Sequence, residues 1–165
     1  MERYIRSAVI AVVLLLLQTT FIPYVALGGY VPDLFLPWLV ILALRRGQME
    51  VTVTGFAVGL LQDTVATRFF GLAALSKTVA CFIAGYFFNE NTTAQTLGSY
   101  RYVFMVVLCS FIHDLLFFTI FLQGLDGPML ATMLQLAAGT TLYTGVVSVL
   151  PMFAFSQKYN TSWAQ

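Results

Sequence analysis

Charge is scarce in this sequence. Of its 165 residues only 9% are Asp, Glu, Lys or Arg, while 59% are apolar. Soluble domains carry about a quarter charged residues. So few charges leave too little polar surface to keep the chain in water, and it reads as an integral membrane protein. With a net charge of +1 and no basic patch, no bulk attraction to nucleic acid is expected. Histidine occurs once and cysteine twice. One histidine and scattered aspartates form no recognisable ligand set, so no metal is expected. Cys81 and Cys109 lie in apolar runs, where they read as small buried hydrophobes rather than a disulfide framework. No Gly-rich phosphate loop and no nucleophile–base–orienter arrangement is visible, so neither an enzyme nor a cofactor is expected.

What the chain does have is apolar runs of near-spanning length. They fall at about 7–27, 33–45, 51–68, 71–88, 102–123 and 129–155, separated by short polar breaks such as RRGQME and QGLDGP. The expectation is one all-α domain over 1–165, a polytopic bundle of six transmembrane helices. The first run has the basic start of a signal peptide. Its apolar stretch exceeds the usual 7–15-residue core of such peptides, so it is expected to stay as a span. Orientation follows from the loop lysines and arginines. With the N-terminus inside, Arg3, Arg6, Arg45, Arg46, Arg101 and Lys158 are cytoplasmic, and only Arg68 is outside. Both termini are therefore expected in the cytoplasm.

The run GFAVGLLQDT puts Gly55, Gly59 and Asp63 on one helical stripe. Small residues let membrane helices approach closely. On the following helix Ala73, Lys77, Cys81 and Ala84 or Gly85 share a face. Counting inward from the turn near Gly71 puts Asp63 and Lys77 at matching depth, about 8–9 Å below it. The expected pairing is Asp63 with Lys77, then Gly59 against Cys81, then Gly55 against Ala84 or Gly85. The alternative is that Asp63 faces a cavity or a partner helix. His113 and Asp114 lie within the fifth run. Neighbours on a helix point about 100° apart, so the two are not expected to form a self-contained pair. Structural neutralisation, a partner or ligand contact, and proton transfer are the open roles, and a relay would need more titratable groups at that depth. Pro32-Asp33 places a carboxylate where the first free amides of the second helix need an acceptor. A periplasmic contact is the other role open to Asp33.

Taken together, PDLFLPWLVILALRRG, GFAVGLLQD, GLAALSKTVACFIAGYF and HDLLFF, in this order and spacing, resemble the MreD family of bacterial rod-shape proteins over nearly the whole chain. The family's usual positions would be Gly55, Phe56, Gly59, Asp63, Gly71 and Asp114 here. Lys77 and His113 are less characteristic of it. The resemblance implies a multi-pass protein of the bacterial inner (cytoplasmic) membrane that binds MreC, a bitopic partner. It also implies an assembly with MreB filaments, RodA and the elongation transpeptidase, which regulates peptidoglycan synthesis. The family is similar in fold to the S-components of vitamin transporters, which leaves a small-molecule- or lipid-binding protein as the alternative. Fold alone does not transfer that function.

Overall fold

The computed structural model describes residues 2–26, 29–65, 70–89, 92–122 and 129–160. Arg68, residues 123–128 and the side chains of Arg3 and Lys158 lie outside the described set, so part of the orientation count is not represented. The described residues form eight helices: α1 (Glu2–Thr20), α2 (Ile22–Val25), α3 (Phe35–Arg46), α4 (Gln48–Val65), α5 (Leu72–Gly85), α6 (Thr93–Leu97), α7 (Tyr100–Phe121) and α8 (Met129–Asn160). Two stretches, Tyr100–Phe121 and Leu130–Gln157, are long and apolar enough to cross a membrane.

Local sequence explains the boundaries. Pro23 cannot donate to Thr19, and its ring crowds that carbonyl, so the first apolar run breaks at Phe21 into α1 and a single further turn. α3 stops at Gly47, whose φ of 85° suits a residue without a Cβ and whose N–H returns to the Ala43 carbonyl at 3.1 Å. The stretch expected as a loop at about 89–101 contains the short α6, and its Thr93 hydroxyl donates to the Leu44 carbonyl at 2.9 Å.

The most extensive packing is between α4 and α5, followed by α7 against α8. α3 sits inside, with Phe35, Leu36, Leu39, Val40, Ala43 and Leu44 all buried. The Tyr102 hydroxyl of α7 donates to the Pro37 carbonyl in α3 at 3.0 Å. Several contacts mark one end of the bundle. Tyr4 donates to Glu50, Arg45 lies over the Phe155 ring, and Thr93 reaches Leu44. These bring the start of α1, the end of α3 and the end of α8 together.

The α4–α5 seam is present, but its register differs from the sequence expectation. Gly59 lies against the α5 backbone: an added Cβ would sit 2.6 Å from the Ala74 nitrogen and 2.7 Å from the Ala73 oxygen. Gly55 faces Cys81 and the Lys77 carbonyl, and Gly85 faces Gln48. Each glycine of α4 thus meets α5 nearer its start than expected. Phe56 lies off the seam and is about half exposed.

Gly71 shapes the turn in a different way. Its φ is 97°, yet nothing among the described residues lies within 4 Å of an added Cβ. Gly71→Ala should therefore cost only the left-handed backbone term, about 1–2 kcal/mol. At Gly59 the backbones themselves must separate, which outweighs the gain of about 1 kcal/mol in helix propensity. Gly59→Ala is expected to lower the melting temperature in detergent more than Gly71→Ala, and Gly59→Leu to prevent the hairpin from closing. Equal losses for the two alanine variants would mean that the seam is not the tighter constraint.

Candidate functional site

The bundle interior holds a chain of hydrogen-bonded polar side chains from four parts of the sequence. Asp33 precedes α3 and uses its two oxygens separately. Oδ1 accepts the Phe35 N–H at 2.8 Å, which is the helix-start role expected of it. Oδ2 accepts from the Lys77 ammonium at 2.5 Å. Lys77 is fully buried on α5 and also contacts Nε2 of His113 at 3.3 Å. His113 Nδ1 lies 3.0 Å from Asp114 Oδ1. The second Asp114 oxygen accepts from Thr140 at 2.7 Å and from Thr141 at 2.9 Å, both on α8.

The donors and acceptors of this chain fit one another in one direction. An ammonium only donates, so Nε2 accepts and the remaining ring proton sits on Nδ1, from which it is donated to Asp114. The Phe117 ring stacks on the imidazole at 6.0 Å between centroids, and the Phe35 ring lies 5.8 Å from the ammonium. Asp33, Lys77, His113 and Asp114 are all buried. Buried charges persist only when paired and hydrogen-bonded, and each of these is.

The non-helical backbone before α3 is held by neighbouring side chains. Gln18 of α1 donates to the Pro32 carbonyl and accepts the Leu34 N–H, both at 3.0 Å. The Asp33 N–H donates to the Thr144 hydroxyl of α8 at 3.0 Å. Backbone groups away from water need such partners.

Two sequence expectations are corrected here. Asp63 does not pair with Lys77. Its carboxylate accepts the N–H groups of Gly71, Ala73 and Ala74, each at 3.0 Å. The first amides of α5 have no partner inside their own helix, and the positive end of the helix dipole favours an anion there. Gly71 carries no side chain to cap them, so Asp63 does so from the preceding helix. The ammonium is consequently left for Asp33 and His113. His113 and Asp114 do pair with each other. The Cβ directions diverge, but the rings and carboxyls extending from them converge, and Thr140 and Thr141 hold the far carboxylate oxygen in place. Depth counting along α4 and α5 also overlooked Asp33 as a partner of Lys77.

Sequence reasoning missed Gln18 and the hydroxyls Thr140, Thr141 and Thr144. The threonine spacing on α8 marks one helical face and was the available signal. Cys81 and Cys109 are buried free thiols, as expected.

The network yields a coupling prediction. Lys77→Met leaves Asp33 charged and unpaired, a loss on the order of 3–5 kcal/mol. Adding Asp33→Asn should restore much of it, whereas adding Asp63→Asn should only add a further, independent loss of about 1–3 kcal/mol. Thermal denaturation of the two double-mutant cycles is the measurement. Non-additivity in the Asp63–Lys77 cycle alone would reverse this assignment.

Comparison with known proteins adds no assignment: no family model, no curated protein and no solved structure matches the chain.

Proposed function

We propose that this protein is a non-enzymatic scaffold of the bacterial inner membrane in the cell-elongation machinery, with MreC as its direct partner. RodA, the elongation transpeptidase and MreB filaments belong to the same assembly in this reading, and the role is to support regulation of peptidoglycan synthesis. The observation that carries the membrane part is the inverted polarity of the fold. Lys77, His113, Asp114, Ser110, Thr144 and Ser148 are buried, while Val9, Leu16, Leu142, Val146, Leu150 and Phe153 are among the exposed residues. That is the distribution expected where lipid replaces water. The resemblance to the MreD family supplies the partner and the process. The scaffold reading is favoured over catalysis because the buried polar groups of the network satisfy one another.

Six spans with both termini inside remains the topology in this reading. α3 and α5, with 12 and 14 residues, cover about 18 and 21 Å. They are shorter than the roughly 30 Å hydrocarbon core, so their flanking segments complete the crossing. Arg45 and Arg46 end α3 and Arg101 begins α7, in keeping with a basic cytoplasmic side.

A second reading, a small-molecule- or lipid-binding protein, is favoured by one feature. An apolar groove of about 530 Å³ opens between α1, α3 and α4, with Ala8, Ala11, Trp38, Val53 and Ala57 in its walls. A lipid acyl chain is the occupant its lining suits.

Depletion from a rod-shaped host should give rounded cells, and crosslinking in membranes should capture MreC. Reporter fusions at Gln165 and within 123–128 should read cytoplasmic and periplasmic, respectively. Normal rods after clean deletion, with no second copy, would count against the scaffold. A specific lipid retained through purification, together with failure to capture MreC, would favour the second reading.

A further inference from the structure

We infer that His113 is the centre of a buried single-proton site, whose occupancy and the Lys77–His113 hydrogen bond exclude each other. The inference rests on the geometry of the chain alone and holds whichever functional reading is correct.

The argument begins with charge. The linked ionisable groups are Asp33, Lys77, His113 and Asp114. With a carboxylate at each end, one ammonium and a neutral ring, the cluster carries one net negative charge. A surplus charge in a low-dielectric interior is costly. One proton on His113 would remove it. The ring has a single place to receive that proton, because Nδ1 already carries one and donates it to Asp114. The place is Nε2, and Nε2 is the atom that accepts from Lys77 at 3.3 Å.

Proton uptake therefore has a defined structural result. The Nε2 lone pair, which accepts from the ammonium, forms a covalent N–H bond with a proton delivered from water as hydronium. Two cationic donors then face each other, and they must part. Lys77 keeps its bond to Asp33, and His113 keeps Asp114. Helix α5 thereby loses this side-chain bond to α7 while each charge stays paired. The cluster is electrically neutral without the inter-helix bond, or bonded and carrying a surplus charge. No arrangement of these four groups with both carboxylates ionised gives neutrality and the bond together.

The surroundings fit a site for one proton. Among the described residues, the titratable groups facing His113 are Asp33 before α3, Lys77 on α5 and Asp114 on its own helix, with the thiols of Cys81 and Cys109 one turn away from Lys77 and His113 on α5 and α7. α8 presents the hydroxyls of Thr140 and Thr141 to Asp114. The imidazolium Nε2–H would need an acceptor. The Ser110 hydroxyl, one turn earlier on α7, is fully buried and makes no hydrogen bond among the described residues. It is the spare acceptor on that face of the helix.

The test uses the full chain in nanodiscs. Histidine occurs once in the sequence, so nitrogen-15 histidine labelling reports His113 alone. In the bonded state the ring should be neutral and protonated on Nδ1, and acidification should convert it in a single step to imidazolium. Lys77 and Lys158 are the two lysines. In a Lys158→Arg background the Lys77 ammonium signal should shift with the same midpoint. The melting temperature should vary over the same pH window, and His113→Gln should abolish that variation. A neutral ring protonated on Nε2, or no titration across the window, would overturn the inference. So would a Lys77 signal that stays fixed while His113 titrates. The spectra of the unmodified ring decide the matter even if His113→Gln fails to fold.

Discussion

A fully buried ammonium fixes much of this molecule. The Lys77 side chain lies in the interior on α5, closed off from the surface by the surrounding residues, and a charge there survives only among partners. The partners come from the start of α3 and from α7, and through His113 and Asp114 the constraint extends to α8. Four parts of the chain are thus held in one arrangement. The Thr144 and Gln18 contacts serve the same end. They hold the extended segment that carries Asp33, so its carboxylate arrives where the ammonium needs it.

The glycine seam answers a separate requirement. Close approach of two helix backbones gains dispersion contacts that an intervening side chain would prevent. Gly55 and Gly59 bring α4 onto α5, and Asp63 completes the contact by accepting the α5 amides. The two systems meet on α5 at Lys77, whose carbonyl faces Gly55 and whose ammonium reaches Asp33 and His113. One sets how near α4 can come. The other sets where α3, α7 and α8 must stand.

The sequence was most legible where the signal was local. Apolar runs marked α3, α4, α5, α7 and α8 to within a few residues, since burial in lipid or protein demands long uninterrupted hydrophobic stretches. Asp33 was legible as a helix start because the Pro-Asp pair next to an apolar run has a backbone reason to be there. The seam was legible as a pair of faces but not in its register. Counting depth along two helices treats side chains as points and omits the backbone. The unpaired amides at the start of α5 drew Asp63, and the register followed. Lys77 was recognised as needing a partner, but its long side chain reached an aspartate 44 residues earlier rather than the nearer one. The α8 threonines were overlooked because a hydroxyl face carries no charge to mark it.

The sequence separations within these contacts bear on how the chain is assembled as it emerges. Asp63 closes on amides only 8 to 11 residues later, so the α4–α5 hairpin can form as soon as α5 has been made. Loop closure over so short a distance is fast and entropically mild. Lys77 finds its carboxylate upstream, at Asp33, and its imidazole 36 residues downstream. Synthesis runs from the N-terminus, so Asp33 is already present when Lys77 is made. The lysine can be neutralised at once, without waiting for α7 and α8. Had the order of the two partners been reversed, the ammonium would stay without a carboxylate until the later helices arrived. The order of these residues along the chain thus spares Lys77 an unpaired stage inside the partly built bundle.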